Sequence, residues 1–346
     1  MVGLYSKYPL LEAVIRRSRL SRSWTIVAVT GVLILLLGLL AFLDGVLVSP
    51  IEWSGVVIFL FNILFIAYIP TVYPFMLRSR KQAILAFRPL LSLEDDAFNK
   101  VAENISKPNR RWEWTAIFLG ISIFMSVLFQ PWNLDWASGP FWLTVYFVII
   151  ATIVYGLMGW LIYDTLVGIV RISRLSRQDL KLDILDTETM APVASWSLSI
   201  SLVFVGIILL SIFGNVIQAD KFTFDAKTII GYVIIICITL LIFFLSMWSA
   251  HRALSEAKKS KLTLARKHLM EISHRLENRT AKMELDGMEN LSSTITSWAT
   301  YQRLVKEAPT WPFNAGIIRR LLVSVLTPGL VYLIKILSQV GIRFGS

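Results

Sequence analysis

Four polar residues lie inside long apolar stretches of this chain and are its candidates for chemistry within a membrane. Asp164, beside Tyr163, could coordinate or gate an ion, or could be a hydrated carboxylate at the membrane surface. Lys335 could face a pore, or could extend its ammonium group to the lipid headgroups. Asn62 and Asn215 could line a conduit, or could hydrogen-bond to a neighbouring helix. The sequence favours the second interpretation in each case.

The last apolar stretch is interrupted by the sequence Thr327-Pro328-Gly329, and Tyr332 and Lys335 follow it. Proline removes a backbone hydrogen bond, and the carbonyl groups that it frees are tolerated at membrane depth only where protein or water covers them. These five residues are therefore the candidate pore or gate. A plain helix kink is the alternative interpretation.

Motifs for catalysis, cofactor binding and metal binding are not found in the sequence. His268 and His274 are six residues apart rather than four, so they do not have the spacing of a helical metal site. The acidic run at 179–188 lacks the glycine of a calcium loop, and no phosphate-binding glycine loop occurs. The single cysteine, Cys237, permits no disulfide within these residues. We expect neither an enzyme nor a bound cofactor or metal ion.

Long apolar segments must position the polar residues. Apolar residues make up 55% of the chain, charged residues 16%, and the mean hydropathy is +0.65, which is too apolar for an ordinary soluble protein. Runs of about 20 apolar residues match the hydrocarbon thickness of a bilayer. The sequence therefore predicts an all-α, polytopic transmembrane bundle with seven spans, at residues 24–43, 54–76, 113–132, 141–164, 195–217, 228–249 and 316–338.

Lysine and arginine are concentrated in alternate loops. Of the 34 basic residues, 30 fall in residues 1–23, 77–112, 165–194 and 250–320, and basic loops remain in the cytoplasm. Nine of the twelve tryptophans lie at predicted span ends, where the indole prefers the headgroup layer. We therefore expect the N-terminus in the cytoplasm, the C-terminus outside, and a location in the cell membrane.

The spans divide the chain into four segments. These are a cytoplasmic basic N-terminal segment at 1–23, a six-span bundle at 24–249 with cytoplasmic loops 77–112 and 165–194, a cytoplasmic helical stalk at 250–310, and a last membrane helix with an outer C-terminus at 311–346. The fourth and sixth spans are expected to continue past the bilayer as helices, because their apolar spacing extends into basic sequence.

The stalk contains an apolar stripe at alternating intervals of three and four residues. Its members are Leu262, Ala265, Leu269, Ile272 and Leu276. This spacing predicts a short coiled coil or bundle seam, at which copies of the chain could assemble. A second amphipathic helix follows, with Met288, Leu291, Ile295, Trp298 and Leu304, and is expected to end before Pro309.

Across most of its length, the plan of the chain is similar to the insect-chemoreceptor-like seven-helix ion-channel superfamily, with short outer loops and an amphipathic segment before the last helix. That resemblance implies a final helix split into two halves, here an anchoring cytoplasmic half at 288–306 and a half at 316–338 that lines the central pore of a tetramer. The chain also resembles uncharacterised prokaryotic multi-pass membrane proteins, through Trp311-Pro312-Phe313 and Pro328.

Three functions are compatible with this plan. The first is an oligomeric ion channel in the lipid bilayer, formed by a homo-oligomer in which the last helix lines the pore. The second is a membrane sensor or scaffold that faces the cytoplasm and binds a cytoplasmic protein there. The third is a transporter of lipid or a small apolar solute. The net charge of +11 is accounted for by the basic loops at the membrane, so we expect no nucleic-acid partner.

Overall fold

The computed structural model of this chain describes residues 9–46, 53–91, 94–128, 140–178, 180, 184, 190–217, 226–281 and 288–311, with single positions at 316, 319, 320, 323 and 327. Nine helices occupy these described ranges, as the predicted all-α class requires. They are α1 (Leu10–Arg17), α2 (Arg22–Leu43), α3 (Trp53–Ala86), α4 (Asp95–Ser106), α5 (Arg110–Leu128), α6 (Phe141–Leu175), α7 (Ala191–Ile217), α8 (Ala226–Ala281) and α9 (Met288–Glu307).

Five of these helices contain a segment that is long and apolar enough to cross a membrane. The segments are Arg22–Leu43 of α2, Phe59–Ala86 of α3, Phe141–Leu175 of α6, Ala191–Gly214 of α7 and Ile236–Asn278 of α8. They coincide with five of the predicted spans and are compatible with a multi-pass integral membrane protein. The third predicted span, 113–132, overlaps α5, which is not among the five. The seventh, 316–338, lies outside the described residues apart from a few single positions.

Helix α3 differs most from its prediction, because it continues about ten residues beyond the predicted end at 76. The predicted loop 77–112 therefore begins inside a helix, and Arg80 belongs to α3. Pro70 and Pro74 lie within α3 without ending it. Basic side chains at 78–81 suggested a loop, but an arginine can remain in a helix when its charge is paired.

The ends of the bundle can be recognised from contacts between helix termini. At one end, the carboxylate of Asp44, which follows α2, accepts hydrogen bonds from the backbone N–H groups of Trp142 (3.3 Å) and Leu143 (2.8 Å) at the start of α6. This carboxylate satisfies the exposed N–H groups of the helix start. The opposite end, which we call the basic end, is where α3 and α6 finish and α5 and α7 begin.

The core lies among α3, α6 and α7 and is filled by large side chains. Tyr73 and Trp160 are fully buried with ring centroids 4.8 Å apart, and Trp196 is fully buried in the same apolar cluster. Phe98 and Ala102 of the short helix α4 also belong to this cluster. Helix α4 therefore packs its apolar face into the base of the bundle.

Small residues and hydroxyl groups allow the helices to approach closely. A Cβ at Gly120 of α5 would overlap the carbonyl oxygen of Tyr155 on α6 and lie 3.2 Å from the Cα of Gly159. Elsewhere, the hydroxyls of Ser79 and Ser199 are 2.9 Å apart and join α3 to α7. Close backbone approach and hydroxyl bonding between helices are typical of helix packing in membranes.

Helix α8 has 56 residues, which corresponds to a length of about 84 Å. About 30 Å is enough to cross the hydrocarbon, so a helix of this length is long enough to cross a bilayer and continue well past it. Helix α9 folds back antiparallel along the C-terminal part of α8. His268 of α8 stacks on Trp298 of α9 with centroids 4.5 Å apart. We call α8 from residue 251 onward together with α9 the α8–α9 hairpin.

Candidate functional site

Arg80 and Asp164 form a buried ion pair at the basic end. The Arg80 Nη1 is 3.1 Å from Asp164 Oδ1, and Nη2 is 2.5 Å from Oδ2 and 3.2 Å from the backbone oxygen of Asp164. The two residues are 5% and 7% exposed. This two-pronged geometry fixes the planar guanidinium on the carboxylate, so the pair clamps the end of α3 to α6.

The local sequence of α6 makes room for this pair. Gly168 lies one helical turn beyond Asp164, and a Cβ there would be 3.1 Å from both Arg80 Nε and Trp196 Cζ2. A larger residue at 168 would therefore compete with the guanidinium and the indole for the same space. Gly168 and Asp164 of α6, Arg80 of α3 and Trp196 of α7 form one packing unit.

Glu113 is a second buried carboxylate at the basic end and is only 2% exposed. Its Oε1 accepts hydrogen bonds from the backbone N–H of Leu10 (3.2 Å) and from Trp160 Nε1 (3.4 Å). Its Oε2 has no direct hydrogen-bond donor within the described residues and lies 3.7 Å from Arg110 Nη1. The residue is in the first turn of α5, where the helix dipole favours a negative charge.

Arg80, Glu113 and Asp164 line one small pocket, together with Asn109, Tyr163 and Pro9. Its cavity volume is about 20 Å³, which is enough for a single water molecule. A water there would meet several polar groups, as buried waters in proteins do. An organic substrate or cofactor would not fit this conformation of the pocket.

The Arg88–Asp95 pair, at the same end, is different because water surrounds it. Arg88 Nε is 3.1 Å from Asp95 Oδ1, and both side chains are about half exposed or more. The hydrogen bond from Arg88, followed by its positive charge, lowers the pKa of the Asp95 carboxyl below its ordinary value of 3.8. This pair joins the turn after α3 to the start of α4.

The predicted intramembrane residues fall in different settings. Asp164 is buried and ion-paired, rather than hydrated at the surface as the sequence favoured. Asn62 is half-buried in α3. Asn215 lies in α7, but its side chain lies outside the described part of the structure. Asn62 is not among the residues that line the pocket at Arg80 and Asp164.

The candidate pore or gate lies mostly outside the described residues. Thr327 is exposed, and its hydroxyl donates a 2.5 Å hydrogen bond to the backbone oxygen of Val323, a helical spacing. Pro328, Gly329, Tyr332 and Lys335 are not described. Their role as a gate stays a prediction.

The predicted seam of the stalk is the least exposed stripe of α8 in this region. Ala265 is fully buried, and the other four members, Leu262, Leu269, Ile272 and Leu276, are half-buried. Leu262 packs with Val305 and Tyr301 of α9, so at this point the seam is covered by the same chain. Assembly of separate copies along the seam stays a prediction. On α9 the buried position is Val305, whereas the predicted Leu304 is exposed.

Polar contacts fasten the end of α9 to α8 where the last segment begins. Lys258 Nζ donates 2.7 Å hydrogen bonds to the backbone oxygens of Lys306 and Ala308, which a lysine commonly does at a helix C-terminus. His251 stacks on Trp311 with centroids 4.0 Å apart, and its Nδ1 is 3.0 Å from the backbone oxygen of Thr310. Residue 311 is therefore held beside residue 251 of α8.

Sequence reasoning singled out Asp164 but missed Arg80 and Glu113. The sequence did contain an indication of a partner for Asp164, because a charge buried in a membrane helix needs a counter-ion. Arg80 was a candidate, since it lies about one helical turn past the predicted end of the second span at residue 76. Glu113 gave only a weak signal, since an acid at the start of an apolar helix usually remains in water.

Within the described residues, no group of three or more His, Cys, Asp and Glu side chains is placed to hold a metal ion. The chain matches no known protein family, curated protein or solved structure.

Proposed function

We propose that this protein is an oligomeric ion channel of the cell membrane, with seven spans and a pore shared between copies and lined by the last apolar helix at 316–338. The observation that carries the proposal is the α8–α9 hairpin. It fixes residue 311 against His251 at a stacking distance of 4.0 Å. The last helix would then start from a fixed point next to α8. A fixed starting point would hold a pore-lining helix at a defined distance from the pore axis.

The packing within one chain supports a pore between copies rather than through a single copy. Large aromatic side chains, among them Tyr73, Trp160 and Trp196, fill the space between α3, α6 and α7. The pocket at Arg80 and Asp164 has room for a single water. An ion pathway of useful width is more simply built from several copies of one helix around an axis.

Helix α5 is proposed as the third span. Its outward face carries exposed Phe118, Leu119 and Ile123, and its inward face packs on α6 through Gly120. With α5 crossing, basic loops meet at the basic end and the short loops at the other. This arrangement supports an N-terminus in the cytoplasm and a C-terminus outside.

Current recordings test this proposal. Purified protein in planar bilayers is expected to give stepwise currents in potassium or sodium salt, and Pro328→Leu is expected to change the open probability, because the variant restores a helical hydrogen bond at the break. Pro70→Leu in α3 is the matched control and is expected to leave gating unchanged. Wild-type protein that is assembled in the bilayer yet passes no current at either polarity would contradict the channel.

A sensor or scaffold is the second candidate, and the long projection of α8 favours it. Beyond residue 250 the helix extends about 45 Å, and it exposes charged side chains such as Arg266 and Lys267 to solvent. A cytoplasmic protein that binds this surface, combined with an absence of currents, would favour this candidate. Neither candidate involves catalysis.

A further inference from the structure

Helix α1 and the turn after it present three exposed arginines, Arg16 and Arg17 in the helix and Arg19 in the turn, next to the place where α2 enters its apolar stretch. We propose that α1 and the turn after it bind the headgroups of anionic phospholipids. This interaction requires only that α2 is embedded in a membrane, and it is independent of the channel proposal.

The other face of α1 is docked on the bundle, which fixes the direction of the arginines. The backbone N–H of Leu10 donates to Glu113 Oε1 (3.2 Å), and Glu12 and Ile15 are buried. Glu12 also forms an ion pair with Arg22 in the first turn of α2. A helix held by these contacts keeps a defined surface turned away from the bundle.

That outer surface combines positive charge with apolar side chains. Val14 is 58% exposed and Leu20 is 54% exposed, on either side of the three arginines. Glu12 is the one acid between residues 9 and 25, and it is buried and paired with Arg22. The exposed charge is therefore entirely positive. Amphipathic helices with basic and apolar residues on their outer surface bind at the interface of anionic membranes.

The turn after α1 places this surface at the level of the headgroups. Trp24 in the first turn of α2 is exposed, and tryptophan prefers that layer. Arg19 has φ 58°, in the left-handed region, which is costly for a residue other than glycine.

The guanidinium group of an arginine matches the oxygens of a phosphate diester in a two-pronged geometry. A headgroup with a net negative charge is therefore the ligand that fits.

Native mass spectrometry in non-ionic detergent tests the proposal with phosphatidylglycerol and phosphatidylcholine as probes. The variant Arg16→Gln/Arg17→Gln/Arg19→Gln is expected to lose phosphatidylglycerol affinity on the order of tenfold or more, because each arginine near an anionic headgroup contributes several-fold. The matched control, Lys259→Gln/Arg266→Gln/Lys267→Gln, removes three exposed charges from the α8–α9 hairpin and is expected to bind as the wild type does.

Unchanged phosphatidylglycerol binding in the α1 variant would overturn the proposal, as would equal binding of both lipids by the wild type. Displacement of phosphatidylglycerol by excess inorganic phosphate would also overturn it, since the site would then recognise free phosphate. A second measurement leaves the three arginines in place.

In a Cys237→Ser background, the emission of a polarity-sensitive dye attached to Leu20→Cys is expected to shift to the blue when phosphatidylglycerol is added to phosphatidylcholine nanodiscs. The same dye on Met270→Cys is expected not to shift.

Discussion

The Arg80–Asp164 pair shows how a charge can be kept inside a helical bundle that is mostly apolar. Both ions lose hydration when they are buried, and their attraction offsets that cost only when the geometry is good. Here two side-chain contacts and a third to the backbone oxygen of Asp164 meet that condition. The pair therefore holds α3 and α6 in one register, although hydrophobic residues could fill the same space.

Removing one partner of this pair should be costly. We expect Asp164→Asn to lower the free energy of unfolding by roughly 3–5 kcal/mol, because the Arg80 charge would remain buried without its counter-ion. The measurement is unfolding in mixed micelles by a denaturing detergent. The double variant Arg80→Met/Asp164→Leu is expected to recover most of the loss. A double variant as unstable as Asp164→Asn would contradict this account.

Asp95→Asn is the matched control, because Asp95 is also paired with an arginine but is exposed. Exposed pairs contribute little, so this variant is expected to unfold as the wild type does. Arg88 lowers the pKa of Asp95 below its ordinary value of 3.8. The small stabilisation that the pair gives the folded state is therefore complete above pH 3.8 and is lost only as the pH falls through the lowered pKa. Stability between about pH 5 and pH 8 should therefore not depend on this pair. A clear loss in Asp95→Asn at pH 7 would contradict this.

At the residue scale, the sequence indicated which side chains were unusual but not which residues they contact. Asp164 could be singled out because a carboxylate in an apolar stretch is conspicuous. Arg80 is 84 positions away, and no local pattern indicates which of several basic residues would be its partner. The hydrogen bond from the Leu10 N–H to Glu113 could not be predicted for the same reason, since it joins two segments about one hundred positions apart.

Between helices, the contact of α5 with α6 depends on Gly120. Gly120→Ala would place a methyl group against the backbone of Tyr155, and backbone cannot move as easily as a flexible side chain. We expect a loss of about 1–3 kcal/mol in unfolding free energy. Gly31→Ala in α2 is the control, because nothing lies within 4 Å of its Cβ position. The idea fails if both variants unfold alike.

The α8–α9 hairpin can be opened selectively. Val305 is fully buried against Leu262, whereas the adjacent Leu304 is 46% exposed. Val305→Asp would bury a carboxylate without a partner, so α9 is expected to detach. Limited trypsin digestion should then cleave α8 between residues 258 and 281 several times faster than in the wild type. Leu304→Asp is expected to be cleaved at the wild-type rate, and equal acceleration in both variants would contradict the assignment of faces.

Helix existence was predictable in most cases, but the partner of each buried face was not. Apolar periodicity located the stripe at Ala265 and Leu269, of which the structure buries Ala265 fully and Leu269 in part. The same periodicity could not tell whether a second copy or α9 covers the stripe, because both would be amphipathic helices. The predicted end of α3 at residue 76 was wrong for a related reason. The charge of Arg80 indicated a loop, and only the structure shows that Asp164 pairs with it inside the bundle.

At the scale of the whole molecule, the described residues contain five apolar helices that could cross a membrane, with α5 packed beside them and a long helical continuation of α8. Composition alone indicated the membrane class, because a soluble protein of this length typically has more charged residues and fewer long uncharged runs. The oligomeric pore is a separate inference, which depends on the last segment and on contacts between copies.

The native mass of the purified protein in lipid nanodiscs tests that inference most directly. The channel proposal predicts a closed ring, and the resemblance in plan predicts four copies of the 39.3 kDa chain. A particle that contains one chain, under conditions in which the protein is folded, would contradict a pore shared between copies.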